Sequence, residues 1–150
     1  MVRDGQIVLH HDPVLSDYNC FAEGDTTRLI VAKQTVESLA ALDCMNHKVG
    51  ARYRIVTLDQ ILDIYRQSDQ GKRLLLEVKV WDELIENDKK HKGMDIAAMH
   101  YPDAEVAANV YRILRKFPEV HNVQFNTFSR DLLLELRAQM NPDERFDFGL

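Results

Sequence analysis

The chain has 150 residues, of which 45% are hydrophobic and 29% charged, as in one globular domain with its own core. The formal net charge is −5, so the basic surface of a nucleic-acid-binding protein is missing and no nucleic-acid partner is expected. No apolar stretch reaches the length of a transmembrane helix, and the first residues, MVRDGQ, include no signal-peptide apolar region. We therefore expect a cytoplasmic location, a prediction that depends on Met1 being the true N-terminus.

Cys20 and Cys44 are the two cysteines of the chain, and neither lies in a CxxC motif or a Cys/His cluster. The sequence therefore contains no pattern of a structural zinc site. Two thiols in a domain of this size need no disulfide bond, which fits a reducing compartment.

The first predicted elements are a short strand and two short helices. Ile7-Val8-Leu9 follows the Asp4-Gly5 turn signal and predicts a strand, whereas residues 14–34 show no regular pattern. Thr35 can cap a helix whose apolar residues recur at helical spacing as far as Leu42. Residues 43–56 are expected to be a connection. A capping box at T-L-D-Q, residues 57–60, then predicts the second helix.

The second half of the chain alternates strands and helices more clearly. The segment LLLEVKV at 74–80 predicts a strand, and residues 82–100 are polar and without a clear pattern. Pro102-Asp103 begins a helix, residues 120–125 form a strand, and Ser129 caps another helix. A last strand begins at 146–150. Strands alternating with helices in this way predict a parallel α/β architecture.

Two charged residues lie at the carboxyl end of the predicted strand 74–80. Leu75, Glu77 and Lys79 share one face of it, and the first residues are apolar on both faces, as in a parallel strand covered on both sides. Ligands bind at the carboxyl ends of such strands, so Glu77 is a candidate metal ligand or general base and Lys79 a candidate anion contact. Exposure of both side chains on an edge strand would explain the same pattern.

His11 is placed in the same way at the end of the strand over residues 7–9. It shares a face with Ile7 and Leu9, whereas His10 points to the opposite face and is expected to pack against a helix or reach solvent. His11 is thus either a site residue or a loop histidine beside the turn that Asp12-Pro13 forms.

Five segments in order carry a resemblance to a known family: DGQIVLHHDPVL (4–15), TVESLAALD (35–43), VTLDQILDIY (56–65), LLLEVKV (74–80) and VQFNTFSRDLLLELR (123–137). Together they resemble the glycerophosphodiester phosphodiesterase family. Its pattern is a D-G turn, a strand ending in H-D-P, two helices, a strand with E-I-K, and a strand ending in S-F before a helix.

The resemblance implies a TIM-barrel fold and a role in lipid metabolism, the hydrolysis of glycerophosphodiesters to an alcohol and glycerol phosphate. By this resemblance His11 is one of two acid/base histidines, Glu77 is a ligand of a divalent cation (Mg²⁺ or Ca²⁺), and Lys79 binds substrate. These residue types suit the reaction: a cation and a lysine stabilise the phosphate charge, and a histidine moves the proton.

Parts of the family pattern are missing from residues 1–150. The strands that end in H-R-G and E-x-D would precede Met1, and roughly the last two strands of the barrel are absent. A complete (β/α)8 barrel takes about 250 residues, so we expect an incomplete TIM barrel of the central four or five strands with their helices, a partial domain truncated at both ends. Residues 81–101 form a longer connection than usual, which we expect to be a surface loop.

Such a chain is expected to bind the cation weakly and to have little or no diesterase activity alone. Its unpaired sheet edges favour self-association. Two alternatives remain: a fragment of a sphingomyelinase-D-like phospholipase, which a disulfide-bonded, secreted context would favour, and a non-enzymatic α/β module that binds a phosphate-bearing ligand or a partner protein.

Overall fold

The structure, a computed structural model, describes residues 1–15, 20–21, 29–46, 50–68, 71–80 and 99–149. Within these ranges the fold is mixed α/β, with small sheets and four α-helices. The strands are β1 (Val14–Leu15), β2 (Cys20–Phe21), β3 (Leu29–Ile30), β4 (Asp43–Asn46), β5 (Ala51–Tyr53), β6 (Leu74–Glu77), β7 (Val123–Asn126) and β8 (Asp147–Gly149). The helices are α1 (Val36–Ala40), α2 (Leu58–Arg66), α3 (Asp103–Leu114) and α4 (Arg130–Gln139). Most of the predicted long connection, residues 81–98, lies outside the described residues.

The second half of the chain forms the predicted parallel sheet. Strands β6, β7 and β8 lie side by side in this order, with Leu76 opposite Phe125 and Phe125 opposite Phe148. Helix α3 joins β6 to β7 along the chain, and helix α4 joins β7 to β8. The prediction of strands alternating with helices is therefore confirmed for this half.

Both helices of this half pack on one face of the sheet, so the prediction that β6 is covered on both sides is wrong. Leu74 and Leu76 pack against a core that contains Val110 of α3 and Leu136 of α4. Leu75, on the other face, is 56% exposed. An apolar run alone cannot show whether helices cover one face of a strand or both faces, because an apolar side chain can lie on a covered face or on an exposed one.

The first half of the chain differs from the predicted parallel pattern. Strands β4 and β5 form an antiparallel hairpin where a connection was expected, and β1 and β3 pair within the segment expected to be irregular. Gly50, with φ of 66°, lies directly before β5 in a conformation that favours glycine. These strands are two to four residues long, too short for an alternating pattern to reveal them.

The segment predicted as the first strand, residues 7–9, makes one antiparallel bridge, between Val8 and Thr57. The Leu9 N–H donates to the Val56 carbonyl at 2.9 Å, and the Leu58 N–H donates to the Ile7 carbonyl at 2.8 Å. The segment is extended as predicted, but it lies against the start of α2 rather than in a parallel sheet.

Local sequence signals at the helix starts are confirmed. The Thr57 hydroxyl accepts from the Gln60 N–H at 3.3 Å, and the Gln60 side chain accepts from the Thr57 N–H at 2.9 Å. Thr35 caps α1 in the same way, and Ser129 caps α4. Capping uses only atoms within one turn, so it can be predicted without knowing the fold.

Cys20 and Cys44 form a disulfide bond, so the expectation that the two thiols need no disulfide is wrong. The two residues lie directly opposite each other on the antiparallel pair β2 and β4. Both side chains are buried, in a core cluster that also contains Leu15 and Leu39. The 24-residue separation of the cysteines gives no sign of this pairing, which depends on the register of two strands.

The stability of the main core depends on pH through the phenol of Tyr111. Its hydroxyl is buried and donates to the Leu136 carbonyl at 2.6 Å, and burial raises the pKa of the phenol from 10.0 to about 12. The unfolded chain therefore loses this proton at lower pH than the folded chain, so stability that is complete below pH 10 falls as the pH rises towards 12.

We expect this loss of folding stability at high pH to be absent from the Tyr111→Phe variant. The wild-type free energy of unfolding should fall by roughly 2 kcal/mol more than that of the variant between about pH 9 and 12. Near pH 8 the variant should be about 1 kcal/mol less stable, because the hydrogen bond is lost. Urea unfolding across this pH range measures both effects, and parallel stability curves for the two proteins would contradict the assignment.

Candidate functional site

The three residues singled out from the sequence lie together. The Lys79 Nζ is 2.9 Å from Glu77 Oε1 and 3.4 Å from His11 Nε2. All three line one cavity of about 300 Å³. Their proximity agrees with a common site, while the roles predicted for them remain predictions.

Backbone hydrogen bonds to other parts of the chain hold each of the two segments of the site in an extended conformation. Strand β6 ends at Glu77, and the Val78 N–H still donates to the Asn126 carbonyl at 2.8 Å, so the chain continues beside β7 up to Lys79. His11 follows the extended segment that is bonded to Val56, and the Pro13 carbonyl accepts from the Val31 N–H at 2.8 Å. The site therefore lies at the carboxyl end of β6, as predicted.

Asp12 contacts the imidazole of His11, a role that the sequence did not reveal because Asp12 was expected to shape the turn. The Asp12 Oδ1 is 2.9 Å from the His11 Nδ1. A carboxylate only accepts, so the proton lies on Nδ1 and the lone pair of Nε2 faces the ammonium group of Lys79. His11 is thus oriented to accept a proton at Nε2.

The charges of the site are exposed to different degrees. The His11 side chain is 78% exposed and that of Lys79 is 27% exposed. The ammonium group of Lys79 has three donors, and the bond to Glu77 and the contact with His11 occupy two of these directions. Counted over the residues that the structure describes, a third direction thus remains for an anionic oxygen.

Two further histidines line the same cavity, His10 and His100. His10 was expected to pack against a helix or reach solvent, and it is half-buried in the lining of the cavity. His100 follows the segment 81–98, and its Nδ1 is 3.0 Å from the Tyr101 carbonyl oxygen. No motif marks His100, so it was not predicted to lie at the site.

The described residues do not by themselves fit a divalent cation. Among them, no group of three or more His, Cys, Asp or Glu side chains is arranged to hold a metal ion. Glu77, the predicted ligand, forms an ion pair with Lys79, and a cation would have to displace that ammonium group. Mg²⁺ and Ca²⁺ require about six or more oxygen ligands, more than the Glu77 carboxylate supplies.

The described part of the chain contains no helix with the length and apolar character needed to cross a bilayer.

No protein-family model matches the chain, and no curated protein matches it at a significant level. Several solved structures are similar in fold, among them two phosphodiesterases. One is assigned as a glycerophosphoryl diester phosphodiesterase from Silicibacter pomeroyi, with 24% identity, a TM-score of 0.71, and coverage of 99% of this chain and 51% of that one. The other is an Oleispira antarctica phosphodiesterase in complex with the product sn-glycerol-3-phosphate, with 20% identity, a TM-score of 0.66, and coverage of 100% and 51%. The chain spans about half the length of these two phosphodiesterase structures and shares their fold over that part.

Proposed function

We propose that this chain is part of a phosphodiester hydrolase of the glycerophosphodiester type, built on an incomplete (β/α)8 barrel. The observation that carries the proposal is the cluster of His11, Lys79 and Glu77 at the carboxyl end of β6. The similarity in fold to two phosphodiesterase structures supports the same conclusion. The proposed reaction converts a glycerophosphodiester and water into an alcohol and glycerol phosphate.

In this reaction Lys79 binds the substrate and His11 moves a proton. The Lys79 ammonium donates to a non-bridging phosphate oxygen and stabilises the charge that grows there. Water forms a new P–O bond while the bond to the leaving alcohol breaks. The Nε2 of His11 takes a proton from the water or, once protonated, gives one to the leaving oxygen. Asp12 holds the ring in this orientation through its contact with Nδ1.

Glu77 positions Lys79 in this proposal through their ion pair. Because that carboxylate is already paired, we expect Mg²⁺ or Ca²⁺ to bind this 150-residue chain only weakly. Self-association also remains a prediction. In the described sheet β6 and β8 pair only with β7, so each presents an outer edge to which a second copy can add.

The proposed binding of a phosphate group at Lys79 can be tested directly with sn-glycerol 3-phosphate. In a titration followed by NMR of the histidine side chains, we expect saturable shifts of the His11 imidazole resonances and smaller shifts for His121. His121 is exposed, and its Nδ1 contacts the Glu119 carbonyl at 2.8 Å, away from the cavity. Equal shifts for the two histidines would count against a phosphate site at Lys79.

We expect the purified 150-residue chain to hydrolyse glycerophosphocholine slowly or not at all with Mg²⁺ or Ca²⁺. The described residues place one carboxylate, Glu77, beside Lys79 and no group of cation ligands. Choline release, measured with an enzyme-coupled assay, tests this, with the His11→Ala variant as the blank. Robust turnover that His11→Ala abolishes would show that the site is more complete than we propose.

The disulfide bond between Cys20 and Cys44 favours a second candidate, a sphingomyelinase-D-like phospholipase. A disulfide-bonded context was the feature expected for that class, and the cysteines no longer support a cytoplasmic location, which remains a prediction. Choline release from sphingomyelin, compared with glycerophosphocholine, separates the two activities. Binding of phosphate ligands without turnover of either substrate would instead favour a non-enzymatic binding module.

A further inference from the structure

The cavity at His11 and Lys79 has a charged rim and an apolar floor. The rim is formed by exposed or half-exposed groups: His11, Glu77 and Lys79. The same cavity is lined by Val110, Val106 and other side chains that are almost fully buried. Because these side chains are almost inaccessible to solvent, they form the inner wall of the cavity.

The inner wall belongs to the core of the protein and offers few polar partners. Leu58 of α2 and Val106 and Val110 of α3 are members of the main core cluster. Tyr101 also lines the cavity, and its hydroxyl already donates to the Ala32 carbonyl at 3.0 Å. A ligand group that enters this part therefore gains by burying apolar surface, and a hydroxyl there would lose its bonds to water.

We propose that the pocket takes a phosphate ester whose alcohol carries one short apolar chain. The phosphate lies at Lys79, and the chain lies against Leu58, Val106 and Val110. The position of the phosphate at Lys79 rests on the proposed function. The new element is the chemical class of the alcohol that is esterified to this phosphate. A volume of about 300 Å³ is at the small end of ligand pockets, so it admits a short single chain and excludes a phospholipid with two long chains.

The test compares the affinities of the wild-type chain for inorganic phosphate, sn-glycerol 3-phosphate, butyl phosphate and hexyl phosphate by calorimetry. We expect both alkyl phosphates to bind more tightly than sn-glycerol 3-phosphate, with a gain of up to about fourfold for each methylene that the pocket buries. If the four probes bind equally, the apolar subsite is wrong while the phosphate site stands. If none of them binds, the proposed function fails as well.

A matched pair of variants, one within β6 and one directly after it, tests where the apolar chain of the ligand lies. Val78 lines the cavity, whereas Leu75 lies on the opposite, exposed face of β6. Val78→Thr keeps the side-chain shape and adds a hydroxyl to the wall, so we expect about fivefold weaker binding of hexyl phosphate and little change for sn-glycerol 3-phosphate. Leu75→Thr should change neither affinity. Equal losses for both ligands in Val78→Thr would overturn the proposal, and the wild-type series decides it even if a variant fails to fold.

Discussion

Replacing Lys79 by Met is expected to weaken the binding of sn-glycerol 3-phosphate by roughly 10- to 100-fold, because a hydrogen bond to a charged group is worth about 1.5–3 kcal/mol. The methionine keeps much of the length of the lysine stem and removes its charge. Lys79 is the lysine within contact distance of both His11 and Glu77. The affinity is measured by calorimetry at constant ionic strength, because phosphate binding depends on salt.

The matched control is Lys72→Met. Lys72 is exposed just before β6 and does not line the cavity, and its backbone carbonyl accepts a hydrogen bond from the Tyr65 hydroxyl. The control removes the same charge from the chain. An equal loss of affinity in both variants would therefore mean that Lys79 acts only through the electrostatic field of the whole protein and does not contact the phosphate.

Glu77→Gln separates two roles of the carboxylate. If Glu77 only positions Lys79, removing its negative charge lowers the repulsion of phosphate, and the affinity without metal should rise a few-fold. If Glu77 binds a cation, adding Mg²⁺ should strengthen phosphate binding in the wild type and not in the variant. The pair of titrations, with and without Mg²⁺, distinguishes these outcomes.

Replacing Phe125 by Ala is expected to lower the free energy of unfolding by about 3–5 kcal/mol, a large part of the stability of a domain of this size. Phe125 is 0% exposed at the centre of β7. Its ring centroid lies 5.9 Å from that of Tyr111, 5.6 Å from that of Phe146 and 5.7 Å from that of Phe148. These rings join the sheet to α3, so truncation leaves a cavity in the main core.

Phe128→Ala is the control, since Phe128 is the same residue type three positions later and is 88% exposed. Its removal should change the stability by no more than about 0.5 kcal/mol. Urea unfolding followed by far-UV circular dichroism measures both variants. Similar losses at the two positions would contradict the packing around β7.

The features that the sequence predicted correctly are those that depend on neighbours along the chain. The caps at Thr35, Thr57 and Ser129 use hydrogen bonds within three residues. Strand β6 was recognised from its apolar run, and the two-residue period of a strand correctly put Leu75 and Glu77 on one face. The same period predicted that Lys79 shares this face, and the order of the residues in LLLEVKV put both charges towards the carboxyl end of the strand.

The features that the sequence missed depend on residues far apart in the chain. The disulfide between Cys20 and Cys44 and the hairpin of β4 and β5 arise from the pairing of short strands, whose register has no local pattern. The exposure of Leu75 likewise depends on both helices packing on one face of the sheet.

The candidate site shows the same division. By itself, the sequence determined that His11, Glu77 and Lys79 follow apolar extended segments, and it predicted them as site residues for that reason. Only the tertiary structure decided that the Nε2 of His11 lies 3.4 Å from the Nζ of Lys79, 68 residues away, and that Asp12 holds the ring. Local periodicity sets the direction of a side chain, whereas the distance between two segments depends on how the core between them packs.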